Sequence, residues 1–236
     1  MLGIFPPHKS GPEHEQARLV AAGALALLAV IFALLIATMP ERADLLPPEL
    51  RAGRILGFEH DVNACRSALA GAGFETEALP AVDGPGGCGY DNAVELTRST
   101  YPYSQSVASS CALAAGLALW ERDVVGAAAA RRLHQAVTRI EIAGAPYQCR
   151  PIAGRRDRRL SEHAFANAID IGGFRLADGR VISVGAGCRG RPEERAFLRD
   201  VRNGACRYFQ AVLSPDYNRA HAAHLHFDLG RDKMCR

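Results

Sequence analysis

The chain carries almost no excess of charge: 28 lysines and arginines stand against 25 aspartates and glutamates, a formal net charge of +3 over 236 residues. That is too mild to hold a polyanion, so nucleic acid is not an expected partner. None of the seven cysteines form a C-x-x-C pair, which removes the usual spacing of a structural zinc–thiolate site. The glycine-rich run Gly84-Pro85-Gly86-Gly87-Cys88-Gly89 lacks the Lys-Ser/Thr ending of a phosphate-binding loop, so no nucleotide is expected either. There is no internal repeat, and Trp120 is the single tryptophan, placed where a core residue is expected.

What is present divides the chain into unequal parts. Residues 1–18 are polar and proline-rich and read as a disordered cytoplasmic tail. Residues 19–37 carry no charge, and Arg18 and Glu41 bracket them. At 1.5 Å per residue they reach about 28 Å, close to the hydrocarbon thickness of a bilayer. We read residues 19–39 as one transmembrane helix. A cleaved signal peptide is the rival, but the run is long for one and no clear A-x-A site follows. Residues 40–59, with Pro40, Pro47, Pro48 and Gly53, read as a linker, and residues 60–236 as one domain. Single cysteines spread over that domain suit disulfides in an oxidising compartment, with free core thiols as the bland alternative. Six cysteines allow fifteen connectivities, and sequence cannot choose among them. The pairing we expect is Cys65–Cys88, Cys111–Cys149 and Cys206–Cys235, with Cys188 left over. The cysteines orient the chain, with the N-terminus expected on the inner side of the membrane and the domain outside.

Within the domain, Asp61 is placed to cap a short helix through Val62, Cys65, Ala68 and Leu69, and residues 74–79 alternate like a strand. Ser109 or Ser110 opens a long alanine-rich helix whose stripe runs through Leu113, Leu117, Trp120, Val124, Ala128 and Leu133, with Gly116 and Gly126 weakening its continuity. His134, beside Arg131 and Arg132, reads as surface. Residues 137–142 read as a strand with Val137, Arg139 and Glu141 on one face and Ile140 and Ile142 on the other. Ala177-Asp178-Gly179-Arg180 reads as a hairpin turn, and Pro192 opens a helix to Val201, with Phe197, Leu198 and Val201 inward and Asn203-Gly204 ending it. The expected fold class is α+β: a small, mostly antiparallel sheet backed by the alanine-rich helix.

Two distant segments carry the chemistry. His163 and Asp170 lie seven residues apart in Ser161-Glu162-His163-Ala164-Phe165-Ala166-Asn167-Ala168-Ile169-Asp170. In one helix they would stand about 10 Å apart along the axis. Two ligands of one ion must approach within about 4 Å, so the chain between them must turn. Near the other end, Leu225, Phe227 and Leu229 would point one way on a strand and His224, His226 and Asp228 the other, with His221 just before. Three protein ligands with an open fourth position would be the catalytic pattern for zinc.

These segments resemble the LAS-type zinc peptidases: D-alanyl-D-alanine peptidases and penicillin-insensitive murein endopeptidases, whose signature is S-x-H-x-x-G-x-A-x-D followed by a histidine-bearing strand. The chain is most similar to the bacterial extensin-like C-terminal domain family, over roughly residues 60–236. The matching pieces are Tyr147-Gln148-Cys149-Arg150-Pro151, Arg159-Leu160-Ser161-Glu162-His163, Ala168-Ile169-Asp170-Ile171-Gly172-Gly173-Phe174, Gly204-Ala205-Cys206-Arg207-Tyr208-Phe209, Pro215-Asp216-Tyr217-Asn218 and the segment from His221 to Asp228. Ala166 replaces the glycine of the broader signature, which calls for a φ below zero there. Lysostaphin-like peptidases also use H-x-H, but their upstream His and Asp lie four apart, and the spacing here favours the LAS type.

The resemblance implies a LAS/hedgehog-like zinc peptidase fold with one zinc ion on His163, Asp170 and His226 and a water as fourth ligand. It implies hydrolysis of a peptidoglycan peptide. His224 is the leading general base or oxyanion stabiliser, with His221 second. Arg150, and less so Arg159, would bind a substrate carboxylate or carbonyl. Asp228 and Glu162 are candidates to hold an imidazole N–H. The alternatives are a zinc-containing wall-binding module that does not cut, and a metal that only stabilises the fold.

Overall fold

The structure is a computed structural model that describes residues 22–23, 26–28, 52–152, 159–186 and 189–236. Among the described residues no helix is long and apolar enough to cross a membrane. Of the expected anchor, residues 22–23 and 26–28 are helical, while the rest of it, the tail 1–18 and Cys188 lie outside the described residues. The chain divides into two compact units, residues 1–45 and 46–236. The second carries the candidate site.

That unit begins earlier than its sequence suggests. Ala52–Glu59, within the expected linker, forms a 3-10 helix that buries Ile55 and Phe58. Asp61 then caps α1 (Val62–Gly71) by accepting from Ala64 N, and Cys65, Ala68 and Leu69 face inward, as the spacing predicts. Strands β1 (Glu75–Ala78), β2 (Val82–Asp83), β3 (Gly89–Tyr90), β4 (Ala93–Arg98) and β5 (Ala108–Ser110) follow. β1, β4 and β5 make a three-stranded antiparallel sheet, and β2 pairs with β3. At Gly89 (φ 141°) a Cβ would meet the Val82 carbonyl at 2.1 Å, so only glycine fits this crossing.

The alanine-rich stretch is helical from end to end, but not of one type. Ser110 caps α2 (Cys111–Trp120) by accepting from Leu113 N. A π-helical turn at Glu121–Val125 follows, and then α3 (Gly126–Leu133), closed by the exposed His134 in a left-handed conformation. Every residue of α2 is buried, which only a run of small and apolar side chains allows. Gly116 lies within the helix, and the Phe209 ring takes the space a Cβ would need, at 2.9 Å.

The main sheet carries the site. Its order is β11 (Met234–Cys235), β9 (Ala211–Leu213), β10 (Leu225–Asp228), β7 (Ala168–Leu176) and β6 (Val137–Ile142), with β8 (Val181–Ser183) beside β7. All pairs are antiparallel except β11 with β9. Its inner face packs on α2: the Trp120 ring lies 5.2 Å from Phe227 and 6.0 Å from Phe174, and its Nε1–H donates to the Val201 carbonyl at 3.0 Å. The helix α4 (Pro192–Ala205) adds Phe197, Leu198 and Val201 to this core. It runs one residue past Gly204, which does not end it. Gly204 instead allows close packing, since a Cβ there would meet Val124 at 2.4 Å. The architecture is α+β with mainly antiparallel sheets, as expected.

Two details depart from the sequence reading. Val137 is buried with Ile140 rather than sharing the Arg139 face, because the pairing with β7 shifts between Val137 and Arg139. An extra residue in one strand flips the alternation beyond it. The disulfides join Cys65–Cys111, Cys88–Cys149 and Cys206–Cys235, with Cα–Cα distances of 6.1, 5.6 and 5.9 Å. The six expected cysteines are used and the last pair is as expected, but the first two partners are exchanged. Cys65 lies on the inner face of α1 and meets the first turn of α2 in the core. Cys88, just past the 3-10 turn at Pro85–Gly87, instead reaches the loop after β6.

Candidate metal centre

Register builds the centre. β10 pairs with β7 so that His226 stands opposite Asp170. Phe227 and Ile169 form the next pair and point into the core, so His226 and Asp170 share the other face. Just before β7 the chain makes the turn that the spacing demands. Glu162–Phe165 is a single 3-10 turn ending in Ala166 at φ 51°, ψ 26°. The expected negative φ is therefore wrong. Alanine here occupies the left-handed region, at a cost of about 1–2 kcal/mol. The conformation is held by Ser110 N–H donating to the Ala166 carbonyl at 2.7 Å, and by Ala166 N–H donating to His163. The turn folds His163 back over Asp170.

The result is a group of His163, Asp170 and His226 whose ligand atoms lie within 4.8 Å of one another. His163 Nε2 is 3.4 Å from Asp170 Oδ2, and His226 Nδ1 is 2.9 Å from Asp170 Oδ1. All three are buried. His163 Nδ1–H donates to the Pro146 carbonyl at 2.9 Å, so in the neutral tautomer the lone pair is on Nε2. Among the described residues that nitrogen is buried without a hydrogen-bond partner. A buried lone pair facing a carboxylate is unfavourable unless a proton or a metal cation lies between them, and two imidazoles with a carboxylate are a donor set that fits a metal ion.

His226 stands between two carboxylates. Its Nε2 lies 2.9 Å from Asp228 Oδ2 and its Nδ1 the same distance from Asp170 Oδ1. Two carboxylates can both be satisfied only if both ring nitrogens carry protons. Burial would push its pKa down, but the bonds to Asp170 and Asp228 prevail and hold it up at about 9. Burial would likewise raise Asp170, yet the His163 and His226 imidazoles hold it well below the usual carboxylate range. A metal cation on Nδ1 would take the place of one proton and leave Nε2–H on Asp228, whose Oδ1 accepts from Gly230 N at 2.8 Å.

The other expected residues are disposed around this group. His224 Nε2 is 3.4 Å from Asp170 Oδ1, and the His221 ring lies 5.3 Å from that of His224 and 5.7 Å from that of His226. Burial and the neighbouring imidazoles push His221 down to about 4, and burial lowers His224 against the pull of Asp170. Both are neutral at pH 7. Arg150 is half-buried, donates through Nε to Gln148 Oε1 at 3.2 Å, and lies close enough for its charge to lower both histidines. Arg159 pairs with Asp232 at 2.6 Å. Among the described residues Glu162 holds no imidazole. It accepts from Asn167 Nδ2 at 2.9 Å, and burial and the nearby Asp228 raise its pKa.

Three groups escaped the sequence reading. The Pro146 carbonyl fixes the His163 tautomer, and a backbone oxygen has no sequence signature. Asn218 accepts from the His221 ring, a role its position three residues earlier could have suggested, since Asn caps short helices. Glu121 is fully buried at the π turn, where it accepts from Thr100 N and Tyr101 N and from the Tyr103 hydroxyl; burial pushes it up to about 7.

No curated protein and no solved structure matches this chain. The family model of the extensin-like protein C-terminus matches residues 63–236, the whole of the domain that carries the centre, and the chain belongs to that family.

Proposed function

We propose that this protein is a zinc-dependent peptidase of peptidoglycan, with one zinc ion on His163 Nε2, Asp170 and His226 Nδ1. The observation that carries the reading is the buried Nε2 of His163, without a hydrogen-bond partner among the described residues and facing Asp170 and His226. The choice of zinc, and the relation to LAS-type peptidases and their LAS/hedgehog-like fold, rest on the ligand types and on the spacing of His163, Asp170 and His226. Two imidazoles and a carboxylate suit zinc, which leaves an open position in catalytic sites. When bound, the ion supplies Lewis acidity toward a water and a peptide carbonyl.

The protein's own residues supply the rest. Asp228 and the Pro146 carbonyl fix the two imidazoles in the tautomers that present a lone pair inward. His221 and His224, both neutral at pH 7, are available for proton transfer and for stabilising developing negative charge. Arg150 offers a guanidinium to a substrate carboxylate or carbonyl. The three disulfides support a location outside the cytoplasm. We further propose that residues 19–39 anchor the domain to the periplasmic side of the inner membrane, with residues 40–51 as spacer.

Digestion of purified sacculi by the zinc-loaded protein, with His224→Ala beside it, tests the reading. New muropeptides from the wild type, lost or strongly reduced in the variant, are the expected result. Equal profiles with retained binding to sacculi would assign the protein to wall binding without cleavage.

A further inference from the structure

The segment Pro215-Asp216-Tyr217-Asn218 takes no part in the metal triad, yet it ends on the acceptor that controls His221. Asn218 Oδ1 lies 2.9 Å from Ala220 N, 3.3 Å from His221 N and 2.8 Å from His221 Nδ1. Two backbone N–H groups converge on this atom, so it is the amide oxygen and not the nitrogen. An oxygen that only accepts can bond Nδ1 only if Nδ1 carries hydrogen. The neutral His221 ring is therefore the Nδ1–H tautomer, the less favoured one for a free histidine, and its Nε2 is left with a lone pair. His224 is placed differently: its Nε2 faces Asp170 Oδ1 at 3.4 Å, the position of a donor toward the ligand carboxylate.

We propose that Asn218 is a positioning residue that holds His221 with Nε2 unprotonated, and that His221 rather than His224 accepts the proton of the attacking water. The step balances without a further reactant. The water O–H proton passes to His221 Nε2 while the oxygen bonds the peptide carbonyl carbon. The imidazolium keeps its Nδ1–H on Asn218, then returns the Nε2 proton to the departing amine nitrogen as the C–N bond breaks. Tyr217, exposed and with its ring 5.5 Å from that of His221, covers the flank of this imidazole. The proton-acceptor role rests on the peptidase reading; the tautomer does not.

Two measurements on the full-length chain decide it. In the 15N-labelled protein, two-bond proton–nitrogen correlations report which ring nitrogen of His221 is protonated at pH 7. The wild type and Asn218→Asp should show Nδ1–H, and Asn218→Ala should revert to Nε2–H. Nε2–H in the wild type, or no change in Asn218→Ala, overturns the positioning role. In the zinc-loaded protein cutting a cross-linked muropeptide dimer, Asn218→Ala should lower kcat by about 10²-fold with KM and bound zinc unchanged, and Asn218→Asp should restore most of it. Equal kcat in Asn218→Ala overturns the assignment of the acceptor to His221. A wild type that binds zinc but cuts nothing overturns the peptidase reading and the acceptor role with it, while the tautomer result stands by itself.

Discussion

At the scale of single residues, the centre depends on lone pairs being aimed as much as on ligands being present. Two acceptors outside the triad do the aiming: the Pro146 carbonyl on His163 and Asp228 on His226. Partners of this kind tune metal affinity by 10- to 100-fold in other sites. Asp228→Ala should therefore weaken metal binding by about 10-fold or more while the fold persists, read by competition with a chromogenic chelator. Unchanged affinity would mean that the strand alone orients His226. The convergence of the three candidate residues was legible: residues seven apart must turn to meet, and the alternation of residues 224–229 put His226 and Asp228 on one face. Ala166 departs from its sequence expectation because sequence weighs the cost of a left-handed alanine but not the hydrogen bonds that hold it there. The cap that Asn218 forms is a signal the sequence carries, whereas its bond to the His221 ring appears only in three dimensions.

At the scale of elements, periodicity served where an element is long and one-sided, and failed where the backbone departs from regularity. The helix α1 with its Asp61 cap, the hairpin between β7 and β8, and the inward face of α4 follow from spacing and turn chemistry. The shift that buries Val137 and the π turn that inserts Glu121 into the core have no periodic signal. Gly204 was read as a helix end, whereas it is a contact point between α4 and the π turn. An alanine would gain up to about 1 kcal/mol of helix propensity there. Its Cβ, however, would stand 2.4 and 2.8 Å from the two methyls of the buried Val124, a β-branched side chain with little room to turn. Gly204→Ala should therefore destabilise the domain by about 1–2 kcal/mol net, measured by denaturant unfolding. A stabilised variant would show that α4 can slide.

At the scale of the molecule, three disulfides and a buried titratable network set the conditions under which the domain is stable. Which six cysteines pair was legible in the sequence but two of the three pairings were not, because which helix face meets which loop tip is settled by tertiary packing. Without metal, His226 has a folded pKa of about 9 against an ordinary 6.5, so its contribution is complete below pH 6.5 and lost as pH rises toward 9. Glu121, raised from 4.5 to about 7, acts in the same direction: the fold prefers its protonated form and loses that preference between pH 4.5 and 7. Asp170, held low, contributes above its unfolded value and is lost only in strong acid. The chelated protein should therefore lose roughly 3 kcal/mol between pH 6 and pH 9, seen as a falling Tm, and a saturating divalent metal should flatten that slope by displacing the His226 proton. A Tm that rises over this range without metal would contradict the network described.

All of this depends on His163, Asp170 and His226 holding one ion. Metal content and affinity of the purified full-length chain, by elemental analysis and chelator competition, measure it directly beside His163→Ala and Asp170→Ala. One tightly held zinc per wild-type chain and none retained by either folded variant is the predicted result. A wild type that stays metal-free at saturating zinc, or variants that keep the ion, would contradict the account.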